Sequence, residues 1–86
     1  PVQVRLLEAS SKKRDMLEIT ALDTPGLLAK IANVFKDQQI SLYSAKISTI
    51  GEKAEDIFKI SNSEGERLNE EQITNLTDAL IEELSN

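Results

Sequence analysis

Within four residues, Asp23-Thr24-Pro25-Gly26, the apolar spacing of this chain changes period. Before them "MLEITAL", Met16 to Leu22, places Leu17, Ile19 and Ala21 on one face and Glu18 and Thr20 on the other, the alternation of a half-buried strand. After them Leu27, Leu28, Ile31, Ala32 and Phe35 recur at helical spacing. Thr24 suits an N-cap, and Pro25 suits the first helical position, where a missing N–H costs nothing. A strand therefore hands over to a helix here, and any fold open to the chain must accommodate that turn.

The remaining elements follow the same two periods. "VQVRLL", Val2 to Leu7, alternates Val2, Val4 and Leu6 against Gln3 and Arg5 and reads as a strand, joined to Met16–Leu22 by a polar turn at residues 9–15. The first helix is expected to end near Gln38 or Gln39. "ISLYSAKISTI", Ile40 to Ile50, and "AEDIFKIS", Ala54 to Ser61, form a second pair of β-type runs around Gly51-Glu52-Lys53. After a loop with Gly65, Asn69 and Gln72 make a capping box, and Ile73, Leu76, Leu80 and Leu84 form one helical stripe.

The order β, β, α, β, β, α contains a split β-α-β unit without its final strand. A leading strand in a tight hairpin with Met16–Leu22 fills the same edge position, because hairpin partners are antiparallel neighbours. The expected architecture is α+β and ferredoxin-like: a four-stranded antiparallel sheet with both helices on one face and an edge strand supplied from the N-terminus. The opposite sheet face is left uncovered. Ile57, opposite Phe58 and Ile60 in the alternation, gives it apolar content suited to a partner domain or subunit.

Eighty-six residues make one domain, 1–86, near the lower limit for a single unaided core. Starting at Pro1 within a strand-like pattern, it is expected to be a piece of a longer protein. The chain has no cysteine and no histidine, which excludes disulfides, thiolate nucleophiles, zinc clusters and imidazole catalysis. Its net charge is −5, and the one basic cluster, Lys12-Lys13-Arg14, belongs to a turn, so nucleic acid is not an expected partner. No apolar run approaches the roughly 20 residues of a membrane helix. A cytoplasmic location and no membrane contact are expected.

Two readings of Asp23–Gly26 stand at this level. The turn presents unpaired N–H groups at the positive end of a helix, a seat for a carboxylate, while Asp23 can accept hydrogen bonds from an ammonium or amide group. It is equally a good helix start with no ligand at all. A phosphate loop is a weaker reading still, because Gly-x-x-x-x-Gly-Lys is absent and no lysine directly follows Gly26. Asp15, Glu18 and Asp23, or Glu52 with Asp56, could be imagined as carboxylate pairs, but exposed acids at strand ends are usually solvating groups. No Asp-x-Asp-x-Asp-Gly metal loop occurs, and Ser10, Ser11, Ser41, Ser44, Ser48, Ser61 and Ser63 have no histidine to activate them.

"LDTPGLLAKIANVFKDQQISL" resembles the opening of an ACT domain, a small regulatory module with an Asp-x-Pro-Gly-x-Leu pattern before its first helix, and the resemblance extends from Met16 to about Leu84. "SAKISTIGEKAEDIFKIS" narrows it to the C-terminal ACT domains of bifunctional uridylyltransferase/uridylyl-removing enzymes, which modify the PII nitrogen-signalling protein. The resemblance implies regulation without catalysis in this chain, no cofactor, sensing of an amino acid, here glutamine, and pairing with a second ACT domain in cis or in a homodimer. It also implies a ligand site made by Asp23, Thr24, Pro25, Gly26, Leu27 and Leu28 facing Ile40, Ser41 and Leu42 of a neighbour. Many amino-acid-binding members have asparagine where this chain has Ser41, whose hydroxyl makes fewer bonds. The alternatives are a ligand-free dimerisation or interdomain module and the ACT domain of an amino-acid-biosynthetic enzyme, against which the "AEDIFKIS" run argues.

Overall fold

The computed structural model describes residues 1–8 and 11–85; Ala9, Ser10 and Asn86 lie outside them, so the expected turn at residues 9–15 is described only from Ser11 onward. The chain runs β1 (Gln3–Leu7), β2 (Asp15–Leu22), α1 (Leu27–Asp37), β3 (Ser41–Lys46), β4 (Thr49–Ile50), β5 (Lys53–Ser61) and α2 (Glu70–Leu84). The sheet is antiparallel in the order β1-β2-β5-β3, with β4 also paired to β5. This is the α+β ferredoxin-like arrangement, with the leading strand at the edge beside β2. Among the described residues it has five strands rather than four, because the expected run Ile40–Ile50 is irregular at Tyr43 and breaks at Ile47-Ser48. The break is held by Ser48, whose C=O accepts from the Glu55 N–H at 2.8 Å and whose N–H donates to Asp56 Oδ1 at 3.3 Å.

Strand alternation decides which side chains enter the core. Leu17, Ile19 and Ala21 from β2 and Ala54, Phe58 and Ile60 from β5 are buried under Leu27, Ile31, Val34 and Phe35 of α1 and Leu76 and Leu80 of α2. Phe35 and Phe58 meet edge to face with centroids 5.3 Å apart, a contact worth about 0.5–1.5 kcal/mol beyond its buried area. Two expected core residues of α1, Leu28 and Ala32, are exposed instead. They face a groove of about 270 Å³ whose other wall includes Leu42, Ala45 and Ile47.

The two helix ends are closed differently. At α1, Ile40 N–H donates to Phe35 C=O and Gln39 N–H to Lys36 C=O, with Gln39 at φ 57, the bonding of a Schellman motif. At α2 the capping box forms as expected: Asn69 accepts from Gln72 N–H at 2.8 Å and Gln72 Oε1 from Asn69 N–H at 2.9 Å. The segment before that cap is pinned by Asp15, expected in a turn but buried as the first residue of β2. Its carboxylate accepts from Leu68 N–H at 2.8 Å and Arg67 Nε at 3.0 Å.

The uncovered sheet face carries Leu7, Met16 and Leu22 beside Ile57, interspersed with charge. Ile57 is half-buried between Glu18 and Lys46 in the register, and Glu18 pairs with Arg5 at 2.7 Å. At the β3 edge Leu42 and Ile47 are each about half exposed as well.

Candidate functional site

Helix α1 begins two residues later than the sequence pattern suggests. Thr24 is not its cap and Pro25 is not its first residue: Leu27 N–H donates to Thr24 C=O at 3.2 Å, and Gly26 has φ 81 and ψ 4. These are the dihedrals of the third position of a type II turn with proline at the second. Thr-Pro fits a cap or a turn equally well in sequence; the left-handed Gly26 selects the turn and itself becomes the N-cap. No side chain caps the helix, and Lys30 N–H is taken by Gly26 C=O at 3.0 Å. The amides of Leu28 and Ala29 are thus left at the positive end of α1 without a side-chain acceptor.

The turn is fixed to the sheet by Asp23 N–H, which donates to Glu52 C=O at 2.8 Å. Beneath it lies a cavity of about 200 Å³, lined by Asp23, Thr24, Gly26, Leu27, Leu28 and Ala29 on one side and Ile47, Thr49, Ala54 and Asp56 on the other. Asp56 is 1% exposed. Burial pushes its carboxyl above the ordinary carboxylate value; the Ser48 N–H opposes this and the nearby Asp23 charge adds to it. One cavity is therefore lined both by residues whose amides have no side-chain cap and by a buried carboxylate.

The expected site residues separate into two groups. Asp23, Thr24, Gly26, Leu27 and Leu28 share the cavity, with Pro25 exposed on the outside of the turn. Leu42 lines the neighbouring apolar groove, which it shares with Leu28. Ile40 packs against the core, and Ser41 is paired with Ser61 at the far end of β5. Since Asp23 is tied to Glu52 and Ser41 is paired with Ser61, nine steps along the chain set Ser41 about 30 Å from the turn at the usual strand rise. A single chain does not bring Ser41 to the turn.

The imagined carboxylate pairs are rearranged too. Asp15 is bound to Leu68 and Arg67, and Glu18 to Arg5, while Asp23 and Asp56 line one cavity. Proximity in sequence groups Asp56 with Glu52. The signal that identifies it is its alternation with Ala54, Phe58 and Ile60, which places a carboxylate on the helix-covered face. Among the described residues no three His, Cys, Asp or Glu side chains form a metal-binding group, and no helix is long and apolar enough to cross a membrane.

A family model for the ACT domain matches residues 16–82. The bifunctional uridylyltransferase/uridylyl-removing enzyme of Vibrio campbellii (strain ATCC BAA-1116) is 54% identical over 83 residues, covering 96% of this chain and 10% of that enzyme. The enzyme of the same name from Vibrio cholerae serotype O1 (strain ATCC 39315 / El Tor Inaba N16961) is 49% identical over 83 residues, with the same coverage. That from Pseudomonas entomophila (strain L48) is 42% identical over 85 residues, covering 98% of this chain and 9% of the enzyme. The chain spans about a tenth of the length of the curated relatives it matches. With the fold, the Pro-Gly turn and a family match across most of its length, the chain belongs to the ACT domain family, as a regulatory and non-catalytic domain.

Proposed function

We propose that this chain is the glutamine-sensing ACT domain of a cytoplasmic bifunctional uridylyltransferase/uridylyl-removing enzyme, and that glutamine binding sets the balance between uridylylation and deuridylylation of the PII nitrogen-signalling protein. Relatives bearing that enzyme name support the parent. The observation that carries the sensing role is the cavity under Pro25-Gly26, lined both by α1 residues with uncapped amides and by a buried carboxylate. A free amino acid brings the complementary carboxylate and ammonium.

The separation of Ser41 from the turn supports a site shared between two domains. Among the described residues strand β3 pairs on one side only, with β5. Antiparallel pairing of two such edges about a two-fold axis sets Ser41 of one domain near the Lys46 end of the other, beside its Pro-Gly turn. Ile40, Ser41 and Leu42 of the neighbour then complete the cavity, and the groove along Leu28, Leu42 and Ile47 is covered.

Calorimetric titration with L-glutamine and sedimentation of the chain test this together. Saturable heat, amide shifts at Leu28 and Ala29, and loss of both pairing and glutamine affinity in Ile47→Lys are expected. Absence of heat and of those shifts overturns the sensing role. The wholly apolar lining of the α1–β3 groove favours a second reading, a pairing module without ligand; Ile47→Lys would then abolish pairing in a chain that never responds to glutamine.

A further inference from the structure

Asp56 is a buried carboxylate that the packing does not neutralise. Its one described hydrogen bond, from Ser48 N–H to Oδ1, is long at 3.3 Å, and the ion pairs Arg5–Glu18 and Arg67–Asp15 leave it out. It has no buried side-chain oxygen without a hydrogen-bond partner, although Oδ2 has no described bond, so that oxygen reaches the cavity surface. A carboxylate taken out of water with half its acceptor capacity unused is costly unless a cation or strong donor arrives. Among the described residues no cation pairs with it, and the adjacent charge, Asp23, is also negative.

We propose that Asp56 is the ammonium-binding residue of the site: its free oxygen, at the surface of the cavity that Leu28 and Ala29 also line, pairs with the α-ammonium of an amino acid whose carboxylate lies on the amides of those two residues. This rests on the reading of the cavity as an amino-acid site. Asp56 sets the class of ligand, since only a molecule with adjacent positive and negative groups satisfies both the carboxylate and the amides. A carboxylic acid lacking the ammonium leaves Asp56 unpaired and meets two negative charges, Asp56 and Asp23. Specificity for the side chain is left to other contacts.

The test compares L-glutamine with 4-carbamoylbutanoate, which keeps the carboxylate and carboxamide but lacks the ammonium. Wild type should bind glutamine about tenfold or more tightly than the analogue, as expected for one charge-assisted hydrogen bond. Asp56→Asn, which retains an acceptor for Ser48, should bring glutamine down to the analogue's affinity while leaving the analogue nearly unchanged. In wild type, the Asp56 carboxyl carbon resonance should move with glutamine and stay in place with the analogue, a readout that does not depend on the variant folding. An unchanged affinity ratio in Asp56→Asn, or an unmoved Asp56 resonance on saturation with glutamine, overturns the role of Asp56 and leaves the amino-acid site standing. If wild type binds neither compound, both readings fall.

Discussion

Replacing Gly26 by alanine isolates the backbone contribution of the Pro-Gly turn. Gly26 sits at φ 81, and an added Cβ would meet nothing within 4 Å, so the substitution introduces conformational strain without a clash. Left-handed backbone costs an L-residue about 1–2 kcal/mol. Alanine also narrows the unfolded ensemble, which returns about 0.4–1 kcal/mol. The net expectation is a destabilisation of about 1 kcal/mol, or roughly 4–8 °C in melting temperature for a domain of this size. Asparagine tolerates the left-handed region better and should fall between glycine and alanine. Urea denaturation followed by far-ultraviolet circular dichroism measures the difference. Gly51 and Gly65 provide internal controls, because they also have positive φ, 63 and 76, and equally open surroundings. Their alanine variants should lose similar amounts. A Gly26→Ala chain as stable as wild type would refute the type II turn, and a loss far beyond the two controls would refute strain as its cause.

Asp56 predicts a particular dependence of stability on pH. Its native pKa is raised above the ordinary 3.8, so its contribution is fully present below that value and is lost as pH rises through the native pKa. Asp56→Asn should remove this decline, and urea midpoints compared from acid to neutral pH should converge at the acid end and separate in favour of the variant toward neutrality. Asn69→Ala removes the capping box of α2 and should cost about 1 kcal/mol by the same denaturation assay, with faster amide exchange in the first turn of that helix.

How far the fold is legible depends on whether local chemistry or a distant contact decides the conformation. The alternation of Leu17, Ile19 and Ala21 and the Asn69-Gln72 box are local, and both forecast their structures. The break between β3 and β4 is not local: it depends on Ser48 meeting Glu55 and Asp56, and no composition change at Ile47-Ser48 marks it. Thr24-Pro25 allowed a cap and a turn alike, and only the dihedrals of Gly26 separate them. Asp56 was legible in principle, because it shares the period of Ala54, Phe58 and Ile60, but linear proximity to Glu52 hid it. Leu28 shows the opposite error. Helical spacing placed it inside, whereas the sheet ends at β3 and leaves that flank of α1 without a neighbour.

On the proposed function, that same missing neighbour would connect pairing to sensing. The cavity residues and Ser41 lie at opposite ends of β5, so a ligand that needs both has to find them on different domains. If glutamine binds the paired arrangement better than the separate one, pairing must in turn strengthen glutamine binding by the same factor. The apolar groove can then supply association energy without conferring ligand specificity, while Asp56 and the α1 amides confer specificity through groups too few to hold two domains together. Such a division suits a switch: tightening the groove makes pairing insensitive to the ligand, and weakening it raises the ligand concentration needed. Only an intermediate groove, with residues such as Leu42 and Ile47 half exposed in the unpaired chain, leaves the equilibrium close enough to balance for a small molecule to move it.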